Sequence, residues 1–166
     1  MITRPARADD LPAVVEAYNA GIAERMATFE TRPRSVPDVA PWLDDGRPFI
    51  VGEQEGEVVG WARAGKYSDR RAYEDVGEHA VYVHPDVRGR GFGRELLDAL
   101  ATEAQRHGIY KLTGRVFTDN EASLAAHRAA GFEVVGIQRR HGKLDGGGRT
   151  ARSWSGSWGR LLRRRR

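Results

Sequence analysis

The chain has 166 residues, of which 40% are apolar and 30% charged, and it contains no cysteine. This length suits one domain, the missing cysteine excludes disulfides and thiolate catalysis, and no apolar run approaches the roughly 20 residues of a membrane helix. Seven arginines and no acidic residue lie from Arg149 onward, so removing these seven from the net charge of +4 leaves residues 1–148 at −3. Nucleic-acid binding would depend on that stretch alone, and we do not expect it. No signal peptide is recognisable at Met1, so we expect a cytoplasmic protein.

Apolar periodicity predicts a chain that alternates strands with helices. Helical spacing predicts helices over about residues 10–24, 35–42, 93–107 and 121–130. Short apolar or alternating runs predict strands at about 2–4, 49–53, 58–64, 76–84, 111–117 and 133–139. Asp145-Gly146 is typical of a two-residue hairpin turn. The order β-α-α-β-β-β-α-β-α-β places residues 1–146 in the α/β (α+β) class, as one domain.

A turn rich in glycine and arginine joins the strand at 76–84 to the helix at 93–107. Glycine permits positive φ and lets the backbone approach a ligand closely, and the first amides of a helix have no internal partner. The helix dipole adds positive charge at the same end. The turn therefore predicts an anion site that holds a pyrophosphate. Its residues are Arg88, Gly89, Arg90, Gly91, Phe92, Gly93 and Arg94.

The spacing of this turn separates it from two better-known phosphate motifs. A P-loop needs a lysine after its glycines, and the dinucleotide fingerprint needs Gly-x-Gly-x-x-Gly, and neither pattern fits here. Arg88-x-x-Gly91-x-Gly93 instead resembles the acetyl-CoA signature of the GNAT superfamily of N-acetyltransferases. The alternative is a glycine-rich turn without a ligand.

A second element of the chain resembles the same family. It is Asn120-x-x-Ser123-x-x-x-His127, and phosphinothricin N-acetyltransferases carry a similar Asn-x-x-Ser-x-x-x-His. These enzymes also have an Arg-x-Ala-Tyr, which resembles Arg71-Ala72-Tyr73, and a Gly-Lys, which resembles Gly142-Lys143. The resemblance covers residues 2 to about 146, so the chain is identified as phosphinothricin N-acetyltransferase-like.

This resemblance implies a single mixed, mostly antiparallel sheet, splayed between its fourth and fifth strands and flanked by about four helices. The pantetheine arm of acetyl-CoA would lie in the gap, pairing with Val81, Tyr82 and Val83, with its pyrophosphate on residues 88–94. Asn120 would hydrogen-bond the pantetheine, cap a helix, or do both. The resemblance further implies an acetyl-CoA-dependent N-acetyltransferase that needs no metal. It would be a homodimer acting on a small amino-acid-like amine such as phosphinothricin.

Amide formation requires a base for the amine and stabilisation of the oxyanion and the leaving thiolate. We expect Glu78 to be the general base, beside the thioester; the alternative is a strand glutamate in an ion pair. A backbone amide near Val83 would polarise the thioester carbonyl. His127 would protonate or hydrogen-bond the leaving sulfur, or else pack as a polar helix residue. Strand alternation directs His79 to the opposite face from Glu78, so we assign it no role.

The resemblance also implies cations for an anionic acceptor. Arg71 and Lys143 are candidates at matching loop positions, Tyr73 could hydrogen-bond the acceptor, and Phe29 either lines the pocket or packs in the core. Each of the polar residues could equally be a solvated surface group. Two other functions remain open: acetylation of a peptide N-terminus or an amino sugar, and acyl-CoA binding without catalysis.

The last 20 residues, 147–166, form an atypical basic tail. Their first part has neither helical nor strand period, and restoring one base near codon 146 of a plausible coding string yields a frame containing Thr-Val-Val. We therefore hypothesise a one-base deletion that removes or alters the last strand. The alternative is an authentic, disordered basic tail.

Overall fold

The computed structural model describes residues 1–157, which form one seven-stranded sheet with helices on both faces. The elements follow the predicted order. The helices are α1 (Leu11–Ala23), α2 (Val36–Val39), α3 (Phe92–Arg106) and α4 (Glu121–Ala129). The strands are β1 (Ile2–Pro5), β2 (Phe49–Gln54), β3 (Glu57–Lys66), β4 (Val76–Val83), β5 (Lys111–Phe117), β6 (Glu133–Leu144) and β7 (Gly147–Ser157).

The order of strands in the sheet is β1-β2-β3-β4-β5-β7-β6. All neighbouring strands are antiparallel except β4 and β5. These two pair in parallel at only three positions, the last being Glu78 opposite Thr113, while β4 continues along β3 as far as Val83. The predicted splay between the fourth and fifth strands is therefore confirmed.

Each face of the sheet has its own apolar core. Helix α1 covers one face, where Leu11 and Val14 pack with Trp61, whose indole nitrogen donates to the Val14 carbonyl at 3.1 Å. Helices α3 and α4 cover the other face through side chains such as Leu97 and Leu124, both fully buried. The amphipathic spacing of α1 and α3 selects these faces, so the edge where β4 leaves β5 lies between two packed layers.

The prediction that the last strand is missing is wrong for residues 147–157. Asp145 and Gly146 both have positive φ, as a two-residue hairpin turn requires, and Leu144 pairs with Gly147 across it. The turn leads β7 between β5 and β6, where Trp154 is fully buried in the core shared with α3 and α4. The sheet thus continues past the predicted boundary at residue 146; the rest of the predicted tail, with Arg163–Arg166, lies outside the described residues.

Strand β7 nevertheless fits its surroundings imperfectly. Within residues 1–157, the indole nitrogen of Trp154 and the Nε of Arg152 are buried without a hydrogen-bond partner. A buried donor without an acceptor costs about 1–3 kcal/mol. In the same range, buried polar atoms without a partner also occur outside β7, at Gln54, Arg63 and His79, so the altered reading frame stays a hypothesis about the gene.

Candidate active site

The predicted anion loop lies at the start of α3. Gly91 is the N-cap with φ 86°, and Gly89 has φ 79°. A Cβ added at either glycine would meet no atom within 4 Å, so their backbone conformation, rather than crowding, favours glycine. Because Gly91 offers no side chain to cap the helix, the amides of Phe92 and Gly93 are available to an anion, whereas the Arg94 amide donates to the Gly91 carbonyl at 3.1 Å. This geometry fits the pyrophosphate of acetyl-CoA.

The three arginines of the loop have different surroundings. Arg90 and Arg94 are exposed beside the helix start. Arg88 donates from Nε to the Val83 carbonyl at 3.0 Å and from Nη1 to both carboxylate oxygens of Glu24 at 2.8 Å. Arg88 therefore fastens the loop to β4 and α1. The side chain of Phe92 is buried in the core, so only its backbone can face a ligand.

The outer edge of β4 beyond Glu78 is not paired with β5. The His84 amide donates to the Val59 carbonyl on β3 at 2.9 Å. Since successive amides of an extended strand point to opposite edges, the amides of Val83 and Val81 point into the gap. From the anion loop to Glu78 this strand edge is not paired with β5, and its Val83 carbonyl is already occupied, by Arg88. Such an edge suits a pantetheine arm bound in extended form.

A charged pair lies on one face of the sheet where the two strands separate. The Glu78 carboxylate accepts a hydrogen bond from Nη2 of Arg115 on β5, and the two also form an ion pair. Their side chains are 35% and 41% exposed, respectively. Glu78 is thus both ion-paired and open to solvent, and it can exchange its partner for a ligand. No motif or spacing in the sequence marks Arg115.

A neutral pair of histidines lies on the opposite face. Nε2 of His79 and Nε2 of His127 are 2.8 Å apart, and Nδ1 of His127 is 2.7 Å from the Ser123 carbonyl. A carbonyl only accepts, so Nδ1 of His127 carries the proton, and its Nε2 must accept from the Nε2–H of His79. Nδ1 of His79 is then a buried acceptor without a partner among residues 1–157.

The environment keeps both histidines uncharged. Burial lowers the pKa of His127, and burial together with the neighbouring His127 lowers the pKa of His79 well below its ordinary value. The rings pack against Phe132, and His79 lies on Gly114, where an added Cβ would be 2.5 Å from the ring. The two histidines therefore contribute to the core both by packing and by hydrogen-bonding to each other.

The structure does not bring Glu78 and His127 together. Consecutive residues of a strand point to opposite faces, so His79 points away from Glu78 as predicted, and His127 lies on the His79 side. His127 is 2% exposed, and both of its ring nitrogens are engaged. These contacts are those of the alternative weighed from the sequence, a polar residue that packs a helix.

Asn120 and Phe29 both make contacts that stabilise the fold. The side chain of Asn120 caps α4 by accepting from the Ser123 amide at 3.1 Å, and its Nδ2 donates to the Met26 carbonyl at 2.8 Å. Phe29 packs edge-on against Phe117, with ring centroids 4.8 Å apart, beside the β6–β7 hairpin. Asn120 can still offer its remaining amide hydrogen to a ligand, whereas the contacts of Phe29 match core packing.

The predicted acceptor contacts lie on two elements, the turn before β4 and strand β6. Arg71 is exposed just before β4, and Lys143 is exposed on β6. Tyr73 is half-buried, with the Arg70 guanidinium 5.7 Å from its ring centroid. Arg-x-Ala-Tyr spacing selects Arg70, three positions before Tyr73, rather than Arg71. Counting that spacing strictly would have found Arg70 from the sequence.

Comparison with known proteins agrees with this geometry. The family model described as the acetyltransferase (GNAT) family matches residues 16–132, which run from within α1, through the loop before α3, to just beyond α4. The chain belongs to the GNAT family. It is an acetyl-CoA-dependent N-acetyltransferase, and residues 88–94 with the free edge of β4 would hold the acetyl-CoA.

Three relatives of this GNAT chain show how far the similarity extends. An L-methionine sulfoximine/L-methionine sulfone acetyltransferase of Pseudomonas aeruginosa is 32% identical over 148 residues, 86% of each chain. A phosphinothricin acetyltransferase from Sinorhizobium meliloti, solved with acetyl-CoA, superposes with a TM-score of 0.87 at 29% identity, covering 94% of this chain and 87% of that one. A ribosomal-protein-alanine N-acetyltransferase from Brucella melitensis superposes with a TM-score of 0.89 at 31% identity, covering 95% and 99%.

Two negative findings concern the described part of the GNAT chain. No helix between residues 1 and 157 is long and apolar enough to cross a membrane. In that same range, no group of three histidines, aspartates or glutamates is placed to hold a metal ion.

Proposed function

We propose that this enzyme acetylates the amine of a small amino-acid-like acceptor, such as phosphinothricin, methionine sulfone or methionine sulfoximine. The observation that carries the proposal is the half-exposed carboxylate of Glu78, at the point where the free edge of β4 meets β5. Relatives that cover most of the chain are named as acetyltransferases of such acceptors. Acetylation of the amine would remove its charge and nucleophilicity, which suits detoxification.

Glu78 is the proposed general base. An amino acid carries its amine mostly as ammonium at neutral pH, and the Glu78 carboxylate takes one proton from it. Acetyl-CoA would supply the acetyl thioester: the amine nitrogen would bond to its carbonyl carbon, the C–S bond would break, and the second proton lost by the ammonium would go to the sulfur, which leaves as a thiol. The Val83 amide, which points into the gap, is the proposed donor to the developing oxyanion.

For His127 we propose mainly a packing role, the alternative to the predicted contact with the leaving sulfur. Its Nε2 accepts from His79, and its remaining proton is held by the Ser123 carbonyl. The ring would have to release His79 before it could hydrogen-bond the leaving sulfur. Its first role in this arrangement is to pack α4 against β4.

The remaining contacts complete the proposed binding site. Arg90, Arg94 and the amides at the start of α3 hold the pyrophosphate, and Asn120 offers one amide hydrogen to the pantetheine. On the acceptor side, Arg71, Lys143 and Tyr73 contact the acceptor's distal anionic or polar group.

A second acceptor class has support of its own. The Brucella melitensis structure, named as a ribosomal-protein-alanine N-acetyltransferase, superposes over nearly the whole chain. Acetylation of a peptide N-terminus uses the same base and the same cofactor site. The two classes differ in what is attached to the carbon that bears the amine: a carboxylate in a free amino acid, an amide in a peptide.

The cofactor site is tested by melting the protein with and without acetyl-CoA. A ligand at about a hundred times its dissociation constant stabilises the folded state by roughly 2.7 kcal/mol. The shift should shrink in the double variant Arg90→Ala/Arg94→Ala and remain in Arg106→Ala, which removes a distant arginine at the end of α3. A folded protein whose melting temperature ignores acetyl-CoA would contradict the proposal.

The acceptor is tested by thiol release from acetyl-CoA with a panel of amines. We expect turnover with L-phosphinothricin or L-methionine sulfone, and little with an amino sugar. A panel in which only peptides react would favour the second class.

We further infer that the enzyme is a cytoplasmic homodimer. Edge strand β6 exposes Val134, Val135 and Ile137, which are 43%, 63% and 58% accessible. Burying them against a second copy would remove apolar surface from water. Light scattering of the wild type and Val135→Lys measures the oligomeric state: we expect a dimer that the variant disrupts.

The cytoplasm is proposed as the location of the enzyme because acetyl-CoA is made and used inside cells. Cell fractionation tests this location.

A further inference from the structure

We propose that Arg115 binds the α-carboxylate of the acceptor, so that the enzyme selects free α-amino acids over peptides and other amines. The inference rests on the proposed function, because it assumes acetyl transfer at Glu78. It assigns a substrate contact to a residue that no motif of the chain marks.

The position of Arg115 follows from the sheet. Pairing between β4 and β5 ends with Glu78 opposite Thr113, and Arg115 lies two residues further along β5. Residues two apart on a strand share a face, so Arg115 points to the same side as Glu78, where the gap opens. The ion pair between the two side chains confirms this orientation.

The pair is complementary to an α-amino acid. Such an acceptor carries an ammonium and a carboxylate on one carbon, and Glu78 and Arg115 present one negative and one positive group side by side. When the acceptor enters, its ammonium replaces Arg115 at Glu78, and its carboxylate replaces Glu78 at Arg115. Two ion pairs thus replace one, and the amine is brought against its base.

The guanidinium has the capacity for this exchange. It carries five N–H donors in a planar fork that matches a carboxylate, and Glu78 engages it at Nη2. Its side chain is 41% exposed, so a small acceptor can reach it without moving the core. Arg71 and Lys143 lie on other surface elements and are left for a distal group of the acceptor.

A peptide N-terminus would interact less favourably with the same pair. Its ammonium could pair with Glu78, but the neighbouring carbonyl belongs to an amide and carries no charge. Arg115 would then lose Glu78 without gaining a carboxylate. Arg115 therefore acts as the residue that distinguishes the two acceptor classes left open by the relatives.

The experiment compares two acceptors in four proteins. The acceptors are L-methionine sulfone and its carboxamide, and the proteins are wild type, Arg115→Ala, Arg115→Lys and Arg106→Ala. We expect wild type to prefer the acid by about 10- to 100-fold more in kcat/KM than Arg115→Ala does. Arg115→Lys should retain part of the preference, since lysine keeps the charge but not the fork, and Arg106→Ala should retain all of it.

These measurements distinguish a failure of the proposed function from a failure of the role inferred for Arg115. Comparing variants on the same two acceptors cancels the intrinsic difference in amine reactivity. If wild type acetylates neither of these acceptors nor L-phosphinothricin, the proposed function fails. If wild type acetylates the acid and Arg115→Ala keeps the same preference, the inference is overturned while the proposed function stands. An equal loss of activity towards both acceptors in a folded Arg115→Ala protein would also overturn it, because Arg115 would then act on Glu78 rather than on the carboxylate.

Discussion

The two faces of β4 carry two polar pairs from consecutive residues, and the pairs have opposite properties. On one face Glu78 and Arg115 are charged and more than a third exposed. On the other, His79 and His127 are neutral, hydrogen-bonded and at most 8% exposed. A charge that remains partly hydrated costs little and can change partners, whereas a buried polar pair resists change because each group depends on the other. We therefore expect substitutions to affect turnover on the first face and stability on the second.

The largest effect on stability is expected for His127→Ala. The change leaves a cavity in the core and removes the acceptor of the His79 N–H, so it should cost about 3–4 kcal/mol. Urea unfolding measures this. His141→Ala, at an exposed histidine on β6, is the matched control and should change stability by less than about 0.5 kcal/mol. Equal small losses in both variants would mean that the histidine face does not stabilise the fold.

Gly114→Ala tests the same histidine pair by adding a methyl group beside the His79 ring. Its Cβ would lie 2.5 Å from the His79 ring, which is held by His127 and Phe132 and cannot move freely. Overpacking of this kind costs about 1–3 kcal/mol. The control is Gly136→Ala, where an added Cβ meets nothing within 4 Å. Thermal melting should separate the two variants, and a Gly114→Ala protein as stable as the control would show that the pair is loosely packed.

The smallest stability effect is a dependence on pH. Burial lowers the pKa of both His79 and His127 below the ordinary value of 6.5, so the unfolded chain takes up protons that the folded chain does not. The free energy of unfolding should therefore be highest above pH 6.5 and fall as the pH is lowered, by about 1–2 kcal/mol between pH 7 and 5.5. Urea unfolding at several pH values measures it. The double variant His79→Gln/His127→Gln should have a flatter dependence, and an unchanged slope would contradict this assignment.

Local signals predicted the glycine-rich turn before α3 and the hairpin turn before β7. Alternate glycines between a strand and an amphipathic helix determine the start of α3, and Asp145-Gly146 determines the turn before β7. Both depend on backbone preferences of a few consecutive residues. The order of elements followed from apolar periodicity and the splay from the family resemblance, and the sheet confirms both.

Contacts between distant parts of the chain could not be predicted in the same way. The partner of Glu78 is 37 residues away and that of His79 is 48 residues away, and neither pair has a spacing that periodicity detects. Strand β7 shows no clear alternation, yet the hairpin turn and the opening between β5 and β6 determine its position. In each case tertiary packing, rather than local preference, decides the outcome.

The most direct test of the division between the faces is to measure turnover and unfolding together in Glu78→Gln. Glutamine keeps the shape of the side chain but cannot take a proton, so we expect kcat to fall by about a hundred- to ten-thousand-fold. The urea midpoint and the acetyl-CoA-induced rise in melting temperature should stay close to those of the wild type. A Glu78→Gln enzyme that folds, binds acetyl-CoA and turns over at the wild-type rate would contradict the assignment of the chemistry to this face.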